Sequence, residues 1–133
     1  MAIATVHRNK ADLCWGLAQK LYDEKRDEFL CMNMIFNTAL HLIEEALAVR
    51  DKHPGAQPRG VPHADRDAQL RKYLVDTKVL CPEAATLYTE LFSTRHTFAE
   101  GNIQDRALIE RYMRTGRQLI DLLKALNENN PRA

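Results

Sequence analysis

The chain has 133 residues, 45% of them apolar and 28% charged, a balance that excludes a disordered tail and suits one domain around one core. Nineteen Lys and Arg against eighteen Asp and Glu leave a net charge of +1, so global charge makes no case for nucleic acid and any such binding must come from a local patch. No apolar run approaches the ~20 residues a bilayer requires, and "MAIATVHRNKADL" has no continuous apolar stretch behind a basic start, so the expected location is cytoplasmic and membrane-free.

Helical periodicity pervades the chain and runs of alternating β-branched residues are absent, which predicts an all-α fold. The first helix is expected from about Asn9 to Tyr22, with Cys14, Leu17, Ala18 and Leu21 on one face and Trp15 and Tyr22 on its flank. "DEKRDE" supplies a solvated break. The second helix, about Glu28 to Asp51, carries two adjacent stripes, Ile35, Ala39, Leu42, Ala46, Val49 and Phe36, Leu40, Ile43, Leu47. So wide a face belongs to a central helix with two or more neighbours. Asn37, His41, Glu44, Glu45 and Asp51 are then expected to look toward water.

"KHPGAQPRGVPHAD", Lys52 to Asp65, holds three prolines and two glycines in fourteen residues and reads as a long, mobile loop. A short helix follows, Arg66 to Val75, capped by Asp65, with Leu70, Tyr73 and Leu74 inward. The fourth helix starts near Pro82, suited to a first turn, and ends at Gly101. Asn102 and Asp105 can open the last helix, whose buried stripe is Leu108, Tyr112, Leu119, Leu123 and Leu126. Glu110 and Arg114 are spaced to pair on its outside. Gly116, mid-helix, costs about 1 kcal/mol against alanine and predicts a close helix crossing or a partner's backbone there. The tail from about residue 127 is expected to fray. Cys14, Cys31 and Cys81 lack any CxxC spacing and read as reduced core residues.

One residue breaks the core pattern. In the fourth helix Ala84, Tyr88, Leu91, Arg95 and Phe98 share a stripe, which puts a guanidinium among side chains that want burial. It must meet a carboxylate, open into a cleft, lie at a subunit interface, or snorkel outward with its stem on Tyr88 and Leu91. A second cluster, Lys52, His53, Arg59, His63, Arg66, Arg71 and Lys72, could hold phosphates, or serve only to keep a loop solvated. No aromatic residue lies in that loop to stack a base. His41 and Glu44 stand one turn apart, but the five histidines share no repeated ligand spacing, so neither a metal nor a cofactor is expected.

The succession "NMIFNTALHLIEEALAVRDKHP", "PHADRDAQLRKYL", "LYTELFSTRHTFAEG" and a final amphipathic helix resembles the HEPN (higher eukaryotes and prokaryotes nucleotide-binding) superfamily over about Asn9 to Leu126. The resemblance implies an up-and-down four-helix bundle with an additional short helix, and a homodimer with the second and fourth helices at the interface. A two-fold contact through Gly116 competes with that arrangement. Arg95 matches the arginine of the family's late helix, and His63 with Arg66 matches its His-x-x-Arg element. Together with Arg59 these would bind phosphate.

Active members carry the arginine, a spacer of four to six residues, and then a histidine. Here "HTFAEGNIQ" follows, with His96 adjacent instead. Arginine can stabilise a phosphorane but cannot take a proton from a 2′-hydroxyl, so the resemblance implies a catalytically degenerate module. Its partners would be RNA, a nucleotide or a nucleotidyltransferase-type protein. An active metal-free ribonuclease using Arg95 with a displaced histidine, His96 or His63, and a plain scaffold bundle, are the alternatives.

Overall fold

The computed structural model describes residues 2–50, 63–101 and 106–129, and the side chains of 4–50, 67–95 and 106–129. The described residues form α1 (Ala2–Asp23), α2 (Glu28–Val49), α3 (His63–Leu70) continuing as a π-helical turn (Arg71–Val75), α4 (Pro82–Gly101) and α5 (Arg106–Glu128), with no strand among them. The fold is the expected all-α bundle. None of these helices is long and apolar enough to cross a membrane. Most of the loop expected at Lys52–Asp65, and the Asn102–Asp105 cap, lie outside the described residues. His63 already belongs to α3, so Asp65 sits inside the first turn rather than capping it.

α1 begins seven residues before the position its apolar pattern indicates, because its seam is built from small residues. Ala4, Ala11 and Ala18 recur every seven positions, all buried, and let the α1 backbone lie close along α2. Leu17, expected on the buried face, turns outward. At the C-terminal end Arg26 N–H donates to Leu21 O at 3.0 Å and Lys25 N–H to Tyr22 O at 3.2 Å, with Lys25 at φ 54°. This is a left-handed helix stop in which lysine stands where glycine is usual. Asp27 then caps α2 by accepting from Leu30 N–H at 3.0 Å.

α2 is the central helix, packed against α1, α4 and α5. Its contacts set the directions of its neighbours. Ala18 meets Cys31 while His7 meets His41, so α1 and α2 run antiparallel. Arg95 meets Asn33 and Tyr88 lies against Phe36, so α4 also opposes α2. Ile35 faces Gly116 and Leu42 faces Asn127, so α5 runs with α2. Leu70 and Leu74 are buried as expected, Tyr73 partly so, and the π-helical turn leads into Leu80 and α4.

Two expectations about the surface are overturned. Glu45 is not solvated but 1% exposed, and Asn37, His41 and Glu44 are half-buried, because the α1–α2 packing covers the side of α2 that hydropathy assigns to water. Asn127 does not fray: it is buried, donating from Nδ2 to Leu42 O at 3.1 Å and Glu45 Oε1 at 3.0 Å. Of the three cysteines only Cys31 is a core residue. Cys14 is half-buried and Cys81 exposed. Glu110 lies 3.6 Å from Arg106, one turn back, rather than pairing with Arg114.

Candidate functional site

Arg95 is half-buried at the α4–α2 contact. Its Nε–H donates to Asn33 Oδ1 at 2.8 Å, and its guanidinium carbon stands 5.0 Å from the centroid of the Phe36 ring. Phe36, Tyr88 and Phe92 cluster beneath it, with ring centroids 5.7 Å, 6.2 Å and 6.5 Å apart, so the cation rests on an aromatic floor. Below, Tyr112 donates its hydroxyl to Leu91 O at 3.0 Å. Burial pushes the Tyr112 phenol well above its ordinary range, against the opposing pull of the Arg95 charge. Among the described residues, then, Arg95 meets a neutral amide and an aromatic face, not a carboxylate.

The other expected site residues are less gathered. His96 follows Arg95 in α4, and His63 and Arg66 lie in α3, but their side chains are outside the described residues, as is Arg59 altogether. Arg71 of the basic cluster is engaged: Nε donates to Asp67 Oδ1 at 3.1 Å and Nη2 to Thr89 Oγ1 at 3.3 Å. Lys72 is exposed and lies 5.3 Å over the Tyr73 ring.

A cleft of about 350 Å³ opens at the other end of the bundle, lined by Arg8, Asp12, Glu45, Lys124, Asn127 and Glu128 among others. Arg8 holds both Nε (2.7 Å) and Nη2 (2.6 Å) on Glu45 Oε2, while Asn127 Nδ2 occupies Glu45 Oε1. Asn127 Oδ1 is buried with no hydrogen-bond partner among the described residues. Three carboxylates against two cations, one of them locked in a buried pair, do not favour a phosphate here.

A third constellation was invisible along the chain. His7 Nδ1 approaches Glu44 Oε2 at 2.8 Å and His41 Nδ1 at 3.0 Å, and His41 Nδ1 lies 3.4 Å from the same Glu44 oxygen. His41 and Glu44 form the i, i+3 pair visible in "HLIEE", but they turn under α1 rather than away from it. His7 comes from 34 residues earlier. The available signal is a period of seven along α1, where His7 occupies the position that Cys14 and Leu21 fill one and two heptads later.

No family model matches the chain, and comparison with the curated proteins and with the solved structures finds no match.

Proposed function

We propose that the chain is an HEPN-like helical bundle that works as a homodimer and binds RNA or a nucleotide, or a nucleotidyltransferase-type partner protein, without cutting RNA. The observation that carries this reading is the neutral seat of Arg95. A guanidinium stays charged at any ordinary pH, and here only its Nε–H has a partner among the described residues, the Asn33 amide. A phosphate would supply a counter-charge that no described residue provides, through the remaining N–H donors. The half-buried Phe92, one turn before Arg95 and part of the same aromatic floor, is the kind of surface on which a base stacks.

A module that does not cut RNA is supported by the described side chains, among which no histidine stands beside Arg95 to accept a proton. His7 and His41 are engaged with Glu44, and His41 lies eight residues along α2 from Asn33, roughly 12 Å at 1.5 Å per residue. Neither reaches the Arg95 seat. Only His96, in the nuclease alternative, would stand near it in the chain.

Fluorescence anisotropy with a labelled single-stranded RNA, and titration with ATP and ADP, test the reading in the wild type, Arg95→Ala, Arg95→Lys and Asn33→Ala. Arg95→Ala is expected to weaken binding at least tenfold with little change in melting temperature, since the side chain is only half-buried. Lysine should rescue poorly because it lacks the planar fork. RNA fragments that accumulate with the wild type and vanish with Arg95→Ala or His96→Ala would replace the degenerate module by the nuclease. Equal binding, or none, in all four proteins would leave the scaffold alternative.

A further inference from the structure

The seam between α1 and α2 carries small or apolar residues at Ala4, Ala11, Ala18 and Leu21, with a polar cluster between the first two. His7, His41 and Glu44 are 14%, 23% and 14% exposed at their side chains, so the cluster is sunk into the seam yet reachable from solvent. The two imidazoles stack, centroids 5.2 Å apart and planes 26° from parallel, and both present Nδ1 to the same carboxylate oxygen.

Three atoms that each offer a lone pair form a triangle with edges of 2.8 Å, 3.0 Å and 3.4 Å. A metal about 2.1 Å from each of two donors separates them by about 3.0 Å at a right angle and about 3.4 Å at the tetrahedral angle. The triangle therefore already has the size of one coordination face. A point about 1 Å out of its plane is about 2.1 Å from all three atoms. We propose that His7, His41 and Glu44 form a binding site for a divalent first-row transition metal, with Zn²⁺ the ion it fits best.

The donor set supports that class of ion. Two imidazoles, which are borderline ligands, beside a single carboxylate suit zinc and its neighbours and are a poor match for calcium or magnesium, which take mostly oxygen. Three protein ligands leave at least one coordination position for water or an anion, the arrangement of an open rather than a closed zinc site. The neighbouring carboxylate, Glu45, does not compete, because Arg8 and Asn127 occupy both of its oxygens. Ala4, Ala48 and Val49 form a separate apolar cluster at the outer end of the same seam and close that side. Because one ligand comes from α1 and two from α2, the ion would clip the first two turns of α1 to the central helix. This site is independent of Arg95 and of the reading given to it.

The test uses the full chain stripped with a chelator, dialysed, and titrated with Zn²⁺ alone by calorimetry. Wild type is compared with His7→Gln, His41→Ala, Glu44→Gln and, as a control for stray histidine binding, His53→Ala. One equivalent of Zn²⁺ is expected in the wild type and in His53→Ala, with affinity weakened at least tenfold by each of the three site substitutions. Zn²⁺ should also raise the melting temperature of the wild type by several degrees and leave that of the three variants unmoved, each judged against its own metal-free value. Co²⁺ in place of Zn²⁺ should give visible absorption bands that disappear with His41→Ala. A wild type that takes up no Zn²⁺ in the titration and shows no thermal shift overturns the proposal. So does binding that survives Glu44→Gln and His41→Ala, or that His53→Ala removes.

Discussion

Cys31 and Tyr112 show how a single buried group ties this fold to pH. Burial pushes the Cys31 thiol from its ordinary 9.0 up to about 11, and its Sγ donates to Ala18 O at 3.4 Å across the α1–α2 seam. The Tyr112 phenol is raised further still, again by burial. Both groups are acids whose neutral form the fold favours, so the native chain holds protons that the unfolded chain releases first. Their contribution is whole below about pH 9 and is lost as pH rises through the folded values. For Cys31 alone that loss is about 2 kcal/mol by pH 11. Melting temperature should be level from pH 7 to 8.5 and fall steeply above about pH 9.5, and Cys31→Ala should make the fall shallower. A melting temperature that stays constant to pH 11 would contradict it. Arg95 belongs to the same scale: its place on a core stripe is evident from spacing, whereas its partners, Asn33 and Phe36, lie about sixty residues away and carry no local signature.

Between elements, the α2–α5 crossing is the contact that spacing anticipates best and that chemistry explains most directly. Gly116 is buried in α5, and a Cβ built there collides with Ile35 Cγ2, with Leu91 Cδ2 at 4.0 Å. Its open face is filled by the chain's own α2, so no two-fold contact through Gly116 remains. Ile35 is fully buried and cannot swing away. Gly116→Ala should therefore destabilise by about 1–3 kcal/mol despite the helix propensity it gains. Adding Ile35→Leu removes the β-branched methyl that collides and should recover part of that loss, a coupling that chemical denaturation of the two single and the double variants measures. Additive effects would mean that the crossing is not what excludes the methyl. The opposite end of α5 shows what spacing misses. "NENNPRA" reads as a polar tail, yet Asn127 is drawn in by the carbonyl of Leu42 and the buried carboxylate of Glu45, groups on another helix.

For the whole molecule, enclosing α2 narrows where a second copy can dock. Of α2, Phe29 is 45% exposed, one turn before Asn33 and so on the side that carries Arg95. α1 offers a separate row, Val6, Leu13 and Leu17, with Leu13 75% exposed. The HEPN-like reading puts the dimer on the Phe29–Arg95 side. Light scattering at micromolar concentration should then give twice 15.3 kDa, reduced to the monomer by Phe29→Glu and unchanged by Leu13→Glu. The reverse pattern would move the interface to α1, and a monomeric wild type would end the homodimer reading.

Periodicity, a property held within each helix, is sufficient by itself for the all-α class, the central place of α2, the buried stripe of α5 and the oddity of Arg95, and the first-turn fitness of proline for the start of α4 at Pro82. It reads each helix against one average solvent, and that is where it stops. Which polar residues are covered depends on the helix laid over them: α1 packs by its alanines, closes over His41, Glu44 and Glu45, and delivers His7 and Arg8 to them. Those pairings follow from the register of α1 on α2, a relation between segments more than thirty residues apart. Only the tertiary structure decides it, because the energy of a buried charge or a shared lone pair is set by what lies across the seam.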